Sequence, residues 1–113
     1  IVQIEHINAI EKLEEILTEP GVDGFIIGPY DLSCSMGIPG QFENDEFIKV
    51  IDFIRNTGKR LNCPAGLHIV EPDLKKLEKS IVEGFTFIAY SVDSRMLDVT
   101  ARKGITTFKN LKK

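Results

Sequence analysis

Two acidic residues stand at the ends of two apolar runs, and together they could bind a metal ion. Residues 2–5 read Val-Gln-Ile-Glu, and residues 25–31 read Phe-Ile-Ile-Gly-Pro-Tyr-Asp, so the runs lead to Glu5 and Asp31. The carboxyl ends of parallel strands meet at one edge of a sheet, where ligands bind. Carboxylates are preferred ligands of hard divalent cations. The pair predicts a metal site at this edge, although such acids more often cap helices or form ion pairs.

The elements that would position these acids follow a regular alternation. Short apolar runs typical of strands are each followed by a segment with apolar residues at helical spacing, and the runs lie at residues 2–5, 25–28, 65–69 and 85–90. Strands that alternate with amphipathic helices indicate a parallel sheet with right-handed crossovers. The sequence therefore predicts an α/β fold of four consecutive βα units.

Cap and break signals predict where several helices begin and end. Asn8 and Glu11 fit a capping box, and Asn44 fits the N-cap of a later helix. Gly58 is predicted to end that later helix, and Gly104 to mark a break in the last one.

Four βα units are half of a (β/α)₈ barrel, which has about 250 residues. The 113 residues suit one small domain. A half-barrel has two exposed sheet edges, which favour association with further strands. We therefore expect residues 1–113 to form a single domain, the carboxyl-terminal half of a barrel, with the amino-terminal half absent from this chain.

Composition excludes some functions. The net charge of −3 provides no basic surface for nucleic acid, and no apolar run approaches the roughly 20 residues that span a bilayer. Cys34 and Cys63 share no short metal-binding spacing, so free thiols are expected. With Ile1 entering directly into a strand and no leader sequence visible, these features predict a cytoplasmic protein.

The two histidines are weaker candidates for chemistry. His6 follows Glu5 and should point to the opposite side of its strand, so packing or support of the site is favoured over metal binding. His68 lies near the end of the third strand, where it could face a barrel interior. A hydrogen-bonded core histidine is nevertheless the more frequent role.

Two motifs carry a family resemblance. Residues 2–6 read Val-Gln-Ile-Glu-His, and residues 21–37 read Gly-Val-Asp-Gly-Phe-Ile-Ile-Gly-Pro-Tyr-Asp-Leu-Ser-Cys-Ser-Met-Gly. Together they closely resemble the HpcH/HpaI family of class II, metal-dependent 2-oxo-acid aldolases, which includes 4-hydroxy-2-oxoheptanedioate and 2-dehydro-3-deoxyglucarate aldolases. The resemblance runs through almost the whole chain but covers only about the second half of a family member. It implies a (β/α)₈ barrel of the phosphoenolpyruvate/pyruvate type.

The resemblance assigns roles to residues in both motifs. It implies that Glu5 and Asp31 are the metal ligands, with Mg²⁺ or Mn²⁺ as the ion and Co²⁺ as a further candidate. It also implies that the loop of Gly28, Pro29, Tyr30 and Asp31 binds the carboxylate of pyruvate through its amides. The family usually has a small residue at position 30, so Tyr30 departs from the pattern. Its ring either lines the aldehyde side of the pocket or simply packs.

The implied activity is cleavage of a 4-hydroxy-2-oxo acid to pyruvate and an aldehyde through a metal-stabilised enolate. The family's catalytic arginine and histidine lie in the first half of the barrel, and no residue here matches either motif. We therefore expect this chain alone to have negligible activity, with no catalytic residue assigned within it. The resemblance also implies a homo-oligomer, a trimer or a hexamer, with the last helix in the interface.

Two alternatives remain open from the sequence. A lyase of the citrate or citramalyl-CoA type belongs to the same superfamily, although the Gly-Pro-Tyr-Asp-Leu-Ser loop favours the aldolases. A non-catalytic α/β module that binds a divalent ion or an anion would show a similar acidic edge.

Overall fold

The computed structural model describes residues 1–112 and contains four strands and six helices within that range. The strands are β1 (Val2–Ile4), β2 (Phe25–Ile27), β3 (Ala65–Ile69) and β4 (Phe87–Tyr90). The helices are α1 (Asn8–Glu11), α2 (Leu13–Thr18), α3 (Pro29–Ser35), α4 (Asp45–Arg60), α5 (Leu74–Val82) and α6 (Asp93–Leu111).

The four strands form one parallel sheet in the order β1-β2-β3-β4. Consecutive strands are therefore neighbours, as in a barrel, where each helix returns the chain to the next position. The register pairs Ile4 with Ile27, and Ile27 in turn with Leu67. The predicted parallel arrangement of four βα units is confirmed.

One face of the sheet packs against the helices and forms the core. Ile4, Phe25 and Ile27 are at most 1% exposed. From the helices, the side chains that fill this layer are Leu13, Leu17, Leu32, Phe47 and Ile54. Since side chains alternate along a strand, Gln3, Glu5 and His68 lie on the opposite face, which in a barrel is the interior.

Helix α4 confirms one cap prediction and corrects an end. The side chain of Asn44 accepts a hydrogen bond from the Glu46 N–H at 2.9 Å, as an N-cap should. The helix does not end at Gly58 but continues to Arg60. A Cβ at position 58 would lie 2.5 Å from Cε1 of Phe25, so the glycine permits close packing on the sheet rather than ending the helix.

The predicted capping box at the first helix is wrong. The N-cap is Ile7 rather than Asn8, and no side chain caps the helix. The backbone N–H of Asn8 instead lies 3.2 Å from Nδ1 of His6, which accepts its hydrogen bond. The helical segment is also interrupted at Lys12, whose backbone leaves the helical conformation, so that α1 and α2 are separate short helices.

Helix α6 extends away from the sheet. It buries none of its residues and passes through Gly104 without the predicted break. Its 19 residues give it a length of about 28 Å, since each residue adds about 1.5 Å. The molecule measures 59 × 27 × 22 Å. No helix among residues 1–112 has the length and apolar character that crossing a bilayer requires.

Candidate metal and substrate site

Glu5 and Asp31 lie at the same edge of the sheet. Glu5 directly follows β1, and Asp31 lies in the first turn of α3, which begins immediately after β2. The N–H of Gly28 donates to the carbonyl of Ile4 at 3.1 Å, which extends the β1–β2 pairing to this edge. The structure therefore positions both predicted ligands at the carboxyl ends of adjacent strands.

The Glu5 carboxylate is held close to the β2–α3 connection. Its Oε2 accepts a hydrogen bond from Nε2 of Gln3 at 2.6 Å. A Cβ at position 28 would lie 3.1 Å from the same Oε2 and 2.9 Å from Nε2 of Gln3. Gly28 thus leaves room for both side chains over the loop. Gln3 was not identified from the sequence, although its spacing of two from Glu5 places both on one strand face.

Asp31 has a different environment. The residue is exposed, and its carboxylate makes no hydrogen bond or ion pair within residues 1–112. Pro29 occupies the start of α3, where its fixed φ suits the first helical turn. The free carboxylate of Asp31 is therefore available to a ligand at the sheet edge.

Two serines fix the loops around these acids. The hydroxyl of the fully buried Ser33 donates to the carbonyl of Tyr30 at 2.8 Å and accepts from the Gly40 N–H at 3.0 Å. Ser35 accepts from the Ile7 N–H at 2.9 Å, which joins the segment after Glu5 to α3. These links hold the two acid-bearing segments together.

A cleft of about 240 Å³ opens at this edge. It is lined by Gln3, Gly28, Pro29, Tyr30, Asp31, His68 and Val70. All four predicted substrate-binding residues of the 28–31 loop therefore line a single cleft. His68 is half-buried and makes no side-chain hydrogen bond within the described chain, so it is not the hydrogen-bonded core histidine that sequence reasoning favoured.

Tyr30 both packs and lines the cleft. Its ring meets the ring of Phe42 edge-on, with centroids 4.8 Å apart, and Phe42 in turn contacts Phe47 at 5.4 Å. Tyr30 remains 40% exposed, and it also borders a second, mostly apolar cavity of about 180 Å³ beneath α4 and α5. The ring therefore packs against Phe42, and its place on the aldehyde side of the pocket remains a prediction.

The residues present fit a hard divalent cation with incomplete protein coordination. Within residues 1–112 there is no group of three or more His, Cys, Asp and Glu side chains arranged to hold a metal. The edge instead offers two carboxylates, one of them free of other partners. Mg²⁺ is commonly bound by one or two carboxylates and completes its shell with water and substrate oxygens. The donor set suits that chemistry better than a closed structural zinc site.

Three further polar side chains have structural roles or are poorly reactive. The hydroxyl of Ser91 donates to the carbonyl of Val70 at 2.9 Å and so joins the ends of β3 and β4. Asp93 accepts a hydrogen bond from the Ser94 N–H at 2.6 Å. Burial raises the pKa of the Cys63 thiol, with a smaller contribution from the charge of Asp23, which keeps it protonated and poorly nucleophilic.

Comparison with known proteins gives consistent matches. The family model described as HpcH/HpaI aldolase/citrate lyase matches residues 1–98. A 2-keto-3-deoxy-L-rhamnonate aldolase from Escherichia coli is 34% identical over 114 residues, covering 97% of this chain and 40% of that relative. The chain thus spans about two fifths of the length of the curated relatives that it matches.

Solved structures agree on the fold. The crystal structure of an HpcH/HpaI aldolase from Desulfitobacterium hafniense superposes with a TM-score of 0.86 at 32% identity, covering 95% of this chain and 41% of that one. A citrate synthase, SbnG, superposes with a TM-score of 0.78 at 20% identity, covering 98% of this chain and 45% of that one. At that identity the second match supports the fold alone.

Proposed function

Because the chain belongs to the HpcH/HpaI aldolase/citrate lyase family, we propose that it is part of a class II aldolase. The reaction is reversible cleavage of a 4-hydroxy-2-oxo acid to pyruvate and an aldehyde. The observation that carries the proposal is the cleft that Gln3 and all four residues of the 28–31 loop line, because Asp31 is free of partners there and Gln3 is hydrogen-bonded to Glu5. A 2-keto-3-deoxy sugar acid, the substrate class in the name of the Escherichia coli relative, has the required 2-oxo group.

The proposed ligands of the divalent cation are Glu5 and Asp31, with Gln3 orienting Glu5 through its hydrogen bond to Oε2. Mg²⁺ or Mn²⁺ is proposed, with Co²⁺ as a further candidate. The ion, when bound, would stabilise negative charge that develops on the 2-oxo acid. The residues of this chain bind and orient the substrate around it.

The 28–31 loop is proposed to bind the substrate carboxylate. Gly28 lets the Gln3 and Glu5 side chains lie directly over the backbone, and the backbone amides that begin α3 have no helical partners of their own. Ser33 holds Tyr30 and Gly40 in place, so the loop keeps one shape before the substrate arrives. A preorganised loop loses less entropy on binding.

No residue of the cleft is assigned as the base that moves the substrate proton. Retro-aldol cleavage requires one. We therefore propose that these 113 residues alone release pyruvate at a negligible rate, and that the carboxyl-terminal half-barrel acts with a further half that completes the barrel. Robust metal-dependent pyruvate release from this chain by itself would contradict this.

Two further properties are proposed with the activity. A homo-oligomer, a trimer or a hexamer, would have α6 in its interface, since α6 buries none of its residues here. Two free cysteines, one exposed and one buried, agree with a reducing cytoplasm. Analytical ultracentrifugation of the protein as its own gene encodes it tests the assembly, and a monomer at micromolar concentration would contradict it.

Calorimetric titration with pyruvate tests the proposed activity most simply. The full-length protein is titrated with pyruvate in the presence and in the absence of Mn²⁺. Binding is expected only with the metal, because the proposed site has two carboxylates that would repel the pyruvate anion when no cation lies between them. Binding of equal strength without metal would support a metal-independent anion-binding module instead.

A further inference from the structure

His68 stands in a row of residues that crosses the inner face of the sheet. The register pairs Ile4 with Ile27 and Ile27 with Leu67. The next residue along each of these strands is Glu5, Gly28 or His68, so these three lie side by side. On the far side of the row, His68 pairs with Ala89. Neighbouring strands are about 4.8 Å apart, so Glu5 and His68 are separated by about 10 Å of sheet.

The residues on both sides of His68 are small. Gly28 has no side chain, and Ala89 is exposed and contributes only a methyl group. On the Gly28 side, the Gln3 amide and the Glu5 carboxylate occupy the space over the glycine. On the β4 side, only the methyl group of Ala89 lies beside the imidazole. His68 also lines the same cleft of about 240 Å³ as the 28–31 loop.

The ring nitrogens of His68 are available to a ligand. The side chain is half-buried, yet neither nitrogen takes part in a hydrogen bond or an ion pair within residues 1–112. A neutral imidazole can donate through one nitrogen and accept through the other. By contrast, the chain's other histidine, His6, is exposed and already accepts a backbone hydrogen bond from Asn8.

We propose that His68 hydrogen-bonds an oxygen on the aldehyde-derived half of the substrate, which makes the enzyme selective for hydroxylated aldehydes. This inference rests on the proposed function. The 28–31 loop binds the 2-oxo acid end, and the rest of the substrate extends across the row from Gly28 towards Ala89. A hydrogen-bonding imidazole beside the methyl group of Ala89 distinguishes an aldehyde that bears a hydroxyl from one that lacks it, because the aldehyde without a hydroxyl leaves the imidazole unpaired.

The inference assigns His68 to the aldehyde half of the substrate and not to pyruvate. Two readouts separate these roles. Metal-dependent exchange of the pyruvate methyl protons in D₂O needs no aldehyde and reports on the pyruvate half. Aldol addition of pyruvate to glycolaldehyde or to acetaldehyde, which differ by one hydroxyl group, reports on aldehyde selectivity.

The test compares the unchanged protein, as its own gene encodes it, with His68→Leu and His68→Asn. For His68→Leu, the ratio of kcat/KM for glycolaldehyde over acetaldehyde is expected to fall roughly tenfold, the loss of about one hydrogen bond. Proton exchange of pyruvate should change by less than about threefold. His68→Asn keeps a donor and should recover part of the selectivity.

A further variant narrows the space beside His68 and leaves the imidazole itself unchanged. Ala89→Leu would fill the area beside His68, and it should slow addition to both aldehydes while leaving pyruvate exchange in place. An unchanged aldehyde ratio in His68→Leu with exchange intact would overturn the inference and leave the proposed function standing. Loss of exchange in His68→Leu would also overturn it, since His68 would then serve pyruvate. Absence of exchange in the unchanged protein would overturn both.

Discussion

The two longest helices, α4 and α6, are both amphipathic, but only α4 buries its apolar face. Helix α4 buries Phe47, Ile54, Thr57 and Gly58, whereas α6 buries no residue at all. Leu97 on α6 is 73% exposed, and Ile54 on α4 is fully buried. An apolar stripe thus predicts a helix but not the surface that the helix will cover.

The second and fourth βα units differ in the same way, both in the burial of their strands and in the partners of the acid that follows each strand. Strand β2 is buried under α3 and α4, and the acid that follows it, Asp31, has no partner in the described chain. Strand β4 is only partly buried, and its following acid, Asp93, is hydrogen-bonded to the next backbone N–H. Stability and the candidate site are therefore concentrated in the first three units.

The largest stability difference is expected between Phe25 and Leu97. Phe25→Ala should lower the free energy of unfolding by about 3–5 kcal/mol, because the fully buried ring leaves a cavity between β2 and α4. Leu97→Ala removes an exposed side chain and should change it by less than about 0.5 kcal/mol. Urea denaturation followed by circular dichroism measures both. Equal losses would mean that α6 is packed as tightly as α4.

Replacing each of the two helical glycines by alanine should change stability in opposite directions. Gly58→Ala places a methyl group 2.5 Å from the Phe25 ring and should destabilise by about 1–3 kcal/mol, although alanine favours a helix. Gly104→Ala meets nothing within 4 Å and should stabilise α6 by up to about 1 kcal/mol. The double variant Phe25→Leu/Gly58→Ala should recover part of the loss. Destabilisation by Gly104→Ala would contradict an unpacked α6.

A smaller effect is expected at the start of α4. Asn44→Ala removes the side chain that accepts a hydrogen bond from the Glu46 N–H, and it should lower the free energy of unfolding by about 1 kcal/mol. Helix α6 has no side-chain cap at Val92, so Val92→Asn should add helicity there rather than remove it. Thermal unfolding of the two variants distinguishes a capped helix from an uncapped one.

The smallest expected effect is a pH dependence of stability that arises from Arg60, at the carboxyl end of α4. Arg60 donates two hydrogen bonds to Glu14, and this lowers the pKa of Glu14 below its ordinary value of 4.5. A lowered pKa contributes stability above the unfolded value, and that stability is lost as the pH falls through the folded pKa. Arg60→Gln should return the Glu14 pKa towards 4.5, as measured by NMR titration. An unchanged titration would show that the pair does not form in solution.

Residues whose role is local were predicted well from the sequence. The strand at 65–69 and the Asn44 cap were both assigned correctly, since Pro64 and the Asn-Asp-Glu run act on their immediate neighbours. The parallel sheet followed from the alternation of strands and helices. The resemblance also identified the family correctly.

Residues whose role depends on distant neighbours were predicted poorly. Gly58 was predicted to end a helix because the Phe25 ring that requires it lies 33 positions earlier in the sequence. His68 was assigned to the core because the sequence does not reveal that this side chain lines the same cleft as the 28–31 loop, with only Ala89 beside it on β4. The Ser35 link to Ile7 crosses 28 residues and has no sequence signal of its own. The predicted metal ligands lie at one edge, and their role as ligands remains a prediction.

The most direct test of the account is Mn²⁺ binding, followed by electron paramagnetic resonance, in three variants of the protein as its own gene encodes it. Glu5→Gln and Asp31→Asn each remove one proposed ligand, and Asp93→Asn changes the corresponding acid of the fourth unit. We expect the first two to weaken Mn²⁺ binding by on the order of 100-fold, since even residues that only support a metal ligand cost 10–100-fold. The Asp93→Asn variant should bind Mn²⁺ with the same affinity as the unchanged protein. Unchanged binding in Asp31→Asn would contradict the account.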